Sequence, residues 1–170
     1  MYPGGNIIRI TPTVSATAYA DNDVLFNATE IPNAVSSRGG VSRLVAISIH
    51  DQAAQGKDLD LIFMEESTNL ISGGISPGSS GGVDLTDANL EAAKIIANIN
   101  IDFTDGESDL VASRISTATA VNVENTSQLP ILLKAAGGST SVYVAGIARE
   151  ATDLVAVDDI DLVFHIEYLG

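Results

Sequence analysis

Between Arg43 and Glu65 the sequence has two stretches in which every second residue is apolar. The apolar members are Val45, Ile47 and Ile49 in the first stretch and Leu59, Leu61 and Phe63 in the second. This spacing is typical of strands that bury one face, and it places Leu44 on the opposite, outer face of the first strand. A polar segment containing Gly56 separates the two stretches. We therefore predict an antiparallel hairpin with a longer loop.

The same alternation recurs along most of the chain. It predicts strands at 6–14, 24–31, 95–102, 110–123, 129–133, 141–148 and 160–169. One helix is predicted within 83–93, with Thr86 or Asp84 as its cap. Many strands with little helix indicate antiparallel sheets that bury their apolar faces against each other. The predicted fold class is all-β, an antiparallel two-sheet β-sandwich, jelly-roll-like, with one short helix.

The N-terminal stretch carries Pro12 within an otherwise strand-like pattern. Because proline removes a ladder donor, this stretch is predicted to be an edge strand or an arm laid on a neighbour. We expect residues 1–12 to form an N-terminal arm and residues 13–170 to form a single β-sandwich domain. The glycine- and serine-rich segment 72–82 has no assigned role.

Charge restricts the classes of partner. The chain has 22 acidic and 8 basic residues, a formal net charge of −14. This balance opposes binding to the phosphate backbone of nucleic acid and to anionic membranes. Docking on a basic protein surface and simple solvation of the protein both remain open. We expect no signal peptide at the N-terminus, and no apolar run is long enough to span a bilayer.

The residues that could carry chemistry are few. Cysteine is absent, which leaves no disulfide or thiolate. The stretch 74–78 matches a Gly-x-Ser-x-Gly elbow around Ser76, but Pro77 follows that serine. Proline has no N–H to give to an oxyanion hole, so we reject a catalytic elbow here. A hydrolase that uses Ser76 with a histidine is kept only as an alternative to be tested.

His50 and His165 both fall within predicted strands among apolar neighbours. A zinc site needs three or four convergent ligands, so we expect both histidines to be structural. Acidic clusters at 102–109 and 158–161 do not have the EF-hand spacing and are predicted to be solvated turns. Tyr143, Phe164 and Tyr168 are expected to pack within strands and not to form a sugar platform. We predict no catalytic, cofactor-binding or metal-binding residue.

The order of short motifs resembles one family of proteins. The matching motifs are Thr13-Val14-Ser15, Ala18-Tyr19, Asp23-Val24, the stretch Val41 to Asp51, the stretch Leu59 to Phe63, Leu129-Pro130-Ile131, Val142-Tyr143-Val144 and Asp161-Leu162-Val163. This series is similar to the head decoration (cement) proteins of tailed bacteriophages, which have a β-sandwich core. The segment 72–82 departs from the pattern.

The resemblance implies a non-enzymatic virion protein, made in the host cytoplasm and located on the outer capsid surface. Its partner would be the major capsid protein, and it would be a homo-oligomer, with a trimer favoured. Tyr2, Ile7, Ile8 and Ile10 of the N-terminal arm are expected to contact that partner, because an extended arm can add to a sheet edge. A tail- or fibre-associated module, structural or receptor-binding, is the alternative.

Overall fold

The computed structural model of the chain describes residues 4–71, 82–84, 86–103, 108–110, 113–119 and 129–169, with the backbone alone at 108–110, 115 and 117–119. Within these ranges the chain is 52% strand and 5% helix. Its elements are β1 (Gly5–Ile10), β2 (Ala18–Tyr19), β3 (Val24–Ile31), β4 (Val41–Asp51), β5 (Leu59–Met64), α1 (Asp87–Ala93), β6 (Ile95–Ile101), β7 (Ser108–Leu110), β8 (Ser113–Thr119), β9 (Ile131–Lys134), β10 (Val142–Ala148), β11 (Thr152–Asp153) and β12 (Ile160–Tyr168).

Most of these strands form two antiparallel sheets packed face to face. The larger sheet has the order β1-β12-β4-β8-β7, and β9 pairs with β4 beyond the end of β8. The smaller sheet has the order β3-β10-β5-β6. A separate pair joins β2 to β11. The predicted all-β, antiparallel two-sheet sandwich with one short helix is confirmed.

The main core lies between the sheets, because alternate residues of each strand point inward. Leu162 and Phe164 of β12 belong to the same buried cluster as Leu61 and Phe63 of β5. The rings of Phe63 and Phe164 pack edge to face, with centroids 6.0 Å apart, which is a favoured geometry for aromatic pairs. The alternation that predicts these strands therefore also identifies the side chains that join the sheets.

The predicted hairpin between residues 43 and 65 is wrong. β4 pairs with β12, β8 and β9, whereas β5 pairs with β10 and β6, so the two strands lie in different sheets. Two strands with apolar faces can pair side by side or stack face to face, and alternation does not distinguish these arrangements. Asp51 stabilises the crossing loop, because its carboxylate accepts hydrogen bonds from the N–H groups of Ala53 and Gly56.

β4 contains a β-bulge at Val45. In the ladder between β4 and β12 the pairing shifts by one residue between Leu44 and Ala46, which leaves Val45 as the extra residue. A bulge re-aims the side chains on one side of it. Leu44 is fully buried and Val45 is half-buried, the reverse of the predicted faces. Ile47 and Ile49, beyond the bulge, are buried as predicted.

The described parts of the connection between β5 and β6 lie over the outer face of the four-stranded sheet. A second buried cluster forms there from Val24, Met64, Leu70, Ile71, Ala93 and Ala145. The helix α1 belongs to this connection. Its N-cap is Thr86, one of the two predicted caps, whose side chain accepts a hydrogen bond from the N–H of Asn89 at 3.3 Å. Among the described helical residues, no segment has the length and apolar character needed to cross a bilayer.

Candidate functional site

β1 forms an edge of the six-stranded sheet, as Pro12 predicts. All six of its residues pair with β12 of the same chain. Of the residues predicted to contact a partner, Ile8 is buried in the chain's own core and Ile10 is half-buried against it. Ile7 is 56% exposed, and Tyr2 lies outside the described residues. Ile7 is therefore the described member of that set that offers most of its side chain to a partner.

The backbone of β1 presents a row of hydrogen-bonding groups away from its sheet. The C=O of Gly4 accepts a hydrogen bond from the N–H of Tyr168 at 2.9 Å. Because bonding alternates along an antiparallel strand, Gly5, Ile7 and Arg9 direct their N–H and C=O groups to the other side. Within the part of the chain that the structure describes, no strand pairs with that side. Such an edge can accept an extended segment of another protein.

A shallow depression of about 570 Å³ lies on the outer face of the six-stranded sheet beside β1. It is lined by Gly5, Asn6, Ile7, Val45, His165 and Ile166. The bulge places Val45 in this lining, and no local sequence signal marks the bulge. The open shape and apolar wall suit a side chain of another polypeptide better than an enclosed small molecule.

Both histidines lie on this outer face, on the adjacent strands β4 and β12. His165 pairs with Ala46, and His50 pairs with Asp161, so the two histidines are separated by four positions along the ladder. That separation is roughly 13 Å at about 3.3 Å per residue. His50 Nδ1 lies 3.8 Å from a carboxylate oxygen of Asp161.

The separation of roughly 13 Å between the two histidines excludes one metal ion shared by both imidazoles, since zinc–nitrogen bonds are about 2 Å long. No group of three or more His, Asp or Glu side chains is placed to hold a metal within the described ranges. Within those ranges, neither histidine therefore has the three or four convergent ligands that a zinc site requires.

The acidic cluster at 158–161 is partly structural. Asp159 is 5% exposed, and its Oδ2 accepts hydrogen bonds from the N–H groups of Val155 and Ala156, each at 2.7 Å. Asp159 therefore closes a turn, and the prediction of a solvated side chain is wrong for this residue. Asp158 is exposed, as predicted. Residues 104–107 of the other cluster lie outside the described ranges.

Asp58 lies in the loop between β4 and β5, beside a cavity of about 20 Å³, and the pKa of its carboxyl group is shifted. Burial raises the pKa of Asp58 above its ordinary value of 3.8, and the charges of Asp102 and Glu150 raise it further. The N–H of Phe103, which donates to Asp58 at 3.0 Å, and the Lys57 ammonium oppose this rise.

Because its folded-state pKa is raised, Asp58 binds a proton more tightly in the folded chain than in the unfolded chain. The resulting stabilisation is complete below pH 3.8, the unfolded reference. It is lost as the pH rises through the folded-state pKa. Asp58 is therefore a pH-sensitive structural carboxyl group in the loop that joins the two sheets.

These parts define what the described surface can do. A free strand edge, the exposed side chain of Ile7 and an apolar depression can bind another polypeptide through backbone pairing and apolar contact. Ser76 and the rest of the rejected elbow lie outside the described residues, as does the segment 72–81. Neither a protein-family profile nor a curated protein sequence matches the chain.

Proposed function

We propose that this chain is a structural protein of a tailed bacteriophage particle. It binds the outer surface of the major capsid shell as a decoration, or cement, protein and stabilises that shell. In this role it catalyses no reaction and carries no cofactor. It self-associates, with a trimer favoured, so that one cluster can bridge several capsid subunits.

The edge of β1 that no described strand pairs with is the observation that carries this proposal. Gly5, Ile7 and Arg9 direct backbone groups outward, and β12 fixes the strand from the other side. A strand that is already ordered loses little conformational entropy when an extended capsid segment pairs with it. The exposed side chain of Ile7 lies beside the depression, where it can contact the side chains of that segment.

Two further features support a binding role on a protein surface. The outer face of the six-stranded sheet carries Ile7 and Leu132, each 56% exposed. β12 and β4 lie between these two residues, so they offer two separate apolar contact points and not one continuous patch. The acidic balance of the chain favours a basic protein partner over nucleic acid. The series of motifs that resembles decoration proteins is compatible with both features.

The first experiment measures binding to preformed shells. Purified chain is mixed with shells assembled from the major capsid protein of the same virus, and bound protein is separated by sedimentation. We expect saturable binding and a higher temperature for shell disruption. Failure of the wild-type chain to bind such shells would discard the proposal.

A proline substitution tests the strand edge directly. The N–H of Ile7 points away from β12, so Ile7→Pro removes one outward donor and keeps the internal ladder, as edge strands tolerate. We expect Ile7→Pro to lose shell binding with a nearly unchanged unfolding temperature. Ile8→Pro is the matched control, because it removes a donor to β12 and is expected to destabilise the fold.

Two other results bear on this proposal. If Ile7→Pro unfolds the chain, Ile7→Ala shortens the exposed side chain without a backbone change, and normal shell binding by Ile7→Ala would count against this contact. If an image of the intact particle places the chain at the tail, the tail-associated alternative replaces the capsid role.

A further inference from the structure

Two valines project from a loop at one end of the sandwich. Val155 is 72% exposed and Val157 is 57% exposed. The residues on either side of this valine loop (residues 154–159) are anchored, because Leu154 is 3% exposed and Asp159 is 5% exposed. The chain therefore buries both ends of the loop and presents two branched apolar side chains between them.

The valine loop is held in one conformation by hydrogen bonds. Asp159 Oδ2 accepts from the N–H groups of Val155 and Ala156. The C=O of Val157 accepts from the N–H of Val14 at 3.0 Å, and the C=O of Asp159 accepts from the N–H of Gln52 at 2.7 Å. A loop fixed in this way has little conformational entropy left to lose on binding. The exposure of the valines is therefore a property of an ordered loop.

The charge of the sandwich is concentrated at the same end. Strand pairing brings Asp51, Leu59, Ile101, Ala148 and Ile160 to one end of the two sheets. We define the acidic end by the described residues 11–23, 51–58, 102–103, 113–114 and 149–161. It contains ten carboxylates and three basic side chains.

The opposite end is balanced. Residues 30–43, 64–70, 94–95, 129–143 and 165–169 contain four acidic and four basic side chains. Three of these basic groups form ion pairs there: Arg43 with Glu167, Lys94 with Glu66, and Lys134 with Glu65. Because the two ends differ in net charge, the electric field of the molecule orients it as it approaches a charged partner, and this steers association.

We propose that the valine loop docks into an apolar hollow rimmed by lysine and arginine side chains on a protein partner. The two valines supply the desolvated centre of the contact, and the exposed carboxylates beside them, Asp153 and Asp158, pair with the basic rim. A second copy of this chain does not fit: two acidic ends would repel each other, and three of the four basic side chains at the opposite end are already in ion pairs. The identity of the partner rests on the proposed capsid role. In that role, this contact orients the acidic end toward the shell.

The test compares one double variant and one single control variant with the wild-type chain. In Val155→Ser/Val157→Ser, two exposed apolar side chains become polar, so the unfolding temperature is expected to stay within a few degrees of wild type. Ile95→Ser, at a residue 44% exposed at the opposite end, is the matched control. We expect the double variant to bind shells about tenfold more weakly and the control to bind like wild type. Equal shell binding by all three proteins would overturn the inference and leave the capsid role standing.

The model partner separates this inference from the capsid role. An amphipathic peptide of leucine and lysine is titrated into the ¹⁵N-labelled chain at low ionic strength and in about 0.5 M salt, where screening is strong. We expect amide shifts centred on Val155–Asp158 that salt weakens and the double variant abolishes. If wild type does not bind shells but shows these shifts, the docking inference holds and the capsid role fails. Shifts located elsewhere, or none, overturn the inference.

Discussion

The two outer faces of the sandwich are used differently. The face of the four-stranded sheet is covered by its own chain, through Leu70, Ile71 and the end of α1. On the face of the six-stranded sheet, Ile7 and Leu132 are more than half exposed. The covered face thus completes a second small core within the chain, whereas the other face leaves Ile7 and Leu132 uncovered by the residues that the structure describes.

This contrast separates residues that stabilise the fold from residues available for binding. Burial of apolar surface contributes to stability roughly in proportion to the area removed from water. Substitutions on the covered face should therefore change the free energy of unfolding. Substitutions on the open face should leave it nearly unchanged and change binding instead. Matched pairs of residues on the two faces test this division.

The largest difference is expected between two leucines. Leu70 is 1% exposed and Leu132 is 56% exposed. Leu70→Ala removes buried methyl groups and leaves a cavity, which should lower the free energy of unfolding by about 2–3 kcal/mol. Leu132→Ala should change it by at most about 0.5 kcal/mol. Urea denaturation of both variants measures the difference, and equal losses would contradict the division.

A charged residue on the covered face should give the next largest effect. Asp60 is 4% exposed, and its carboxylate accepts hydrogen bonds from Asn98 and Asn100 and pairs with Arg149 at 3.0 Å. Asp60→Ala leaves these donors without their acceptor, at a cost of about 1–2 kcal/mol. The cost is moderated because Arg149 is 42% exposed and can be solvated. Asp60→Asn keeps one acceptor oxygen and should lose less stability in the same assay.

A substitution at the N-cap of α1 tests whether the segment that covers the four-stranded sheet opens independently of the sheets. Thr86→Ala removes the hydroxyl that accepts from the N–H of Asn89, and loss of such a cap costs about 1 kcal/mol. We expect faster amide hydrogen exchange in α1 and unchanged exchange in β12, because the two lie on opposite sides of the molecule. Thr86→Ser retains the acceptor and is the control. Equal acceleration in β12 would show that the cover and the sheets open as one unit.

Alternation along the chain predicted most elements, because a strand that buries one face must repeat at a period of two. β6, β10 and β12 follow the predicted strands closely, and the cap at Thr86 follows from ordinary helix-capping chemistry. The same pattern could not say which strands pair. Leu61 and Ile49 face the same core from different sheets, and each has the alternation that a hairpin would also require.

The candidate site was less predictable, because it depends on tertiary contacts. Ile7 and Ile8 are adjacent isoleucines with opposite exposure, and only the pairing of β1 with β12 decides which one faces the core. Val45 lines the depression because of the β-bulge, and no feature of the sequence predicts that bulge. Asp159 is an ordinary turn residue in sequence, and its burial follows from the amides that it accepts.

The smallest effect is expected for the ion pair on the open face. Arg43 and Glu167 lie 3.0 Å apart, and their side chains are 44% and 34% exposed. Exposed pairs contribute little because water and salt screen them, so Arg43→Ala should cost about 0.5 kcal/mol or less and lose even that in high salt. A double-mutant cycle with Glu167→Ala measures the coupling free energy. A coupling as large as the loss expected for Asp60→Ala, about 1–2 kcal/mol, would show that the open face contributes to stability like the covered one.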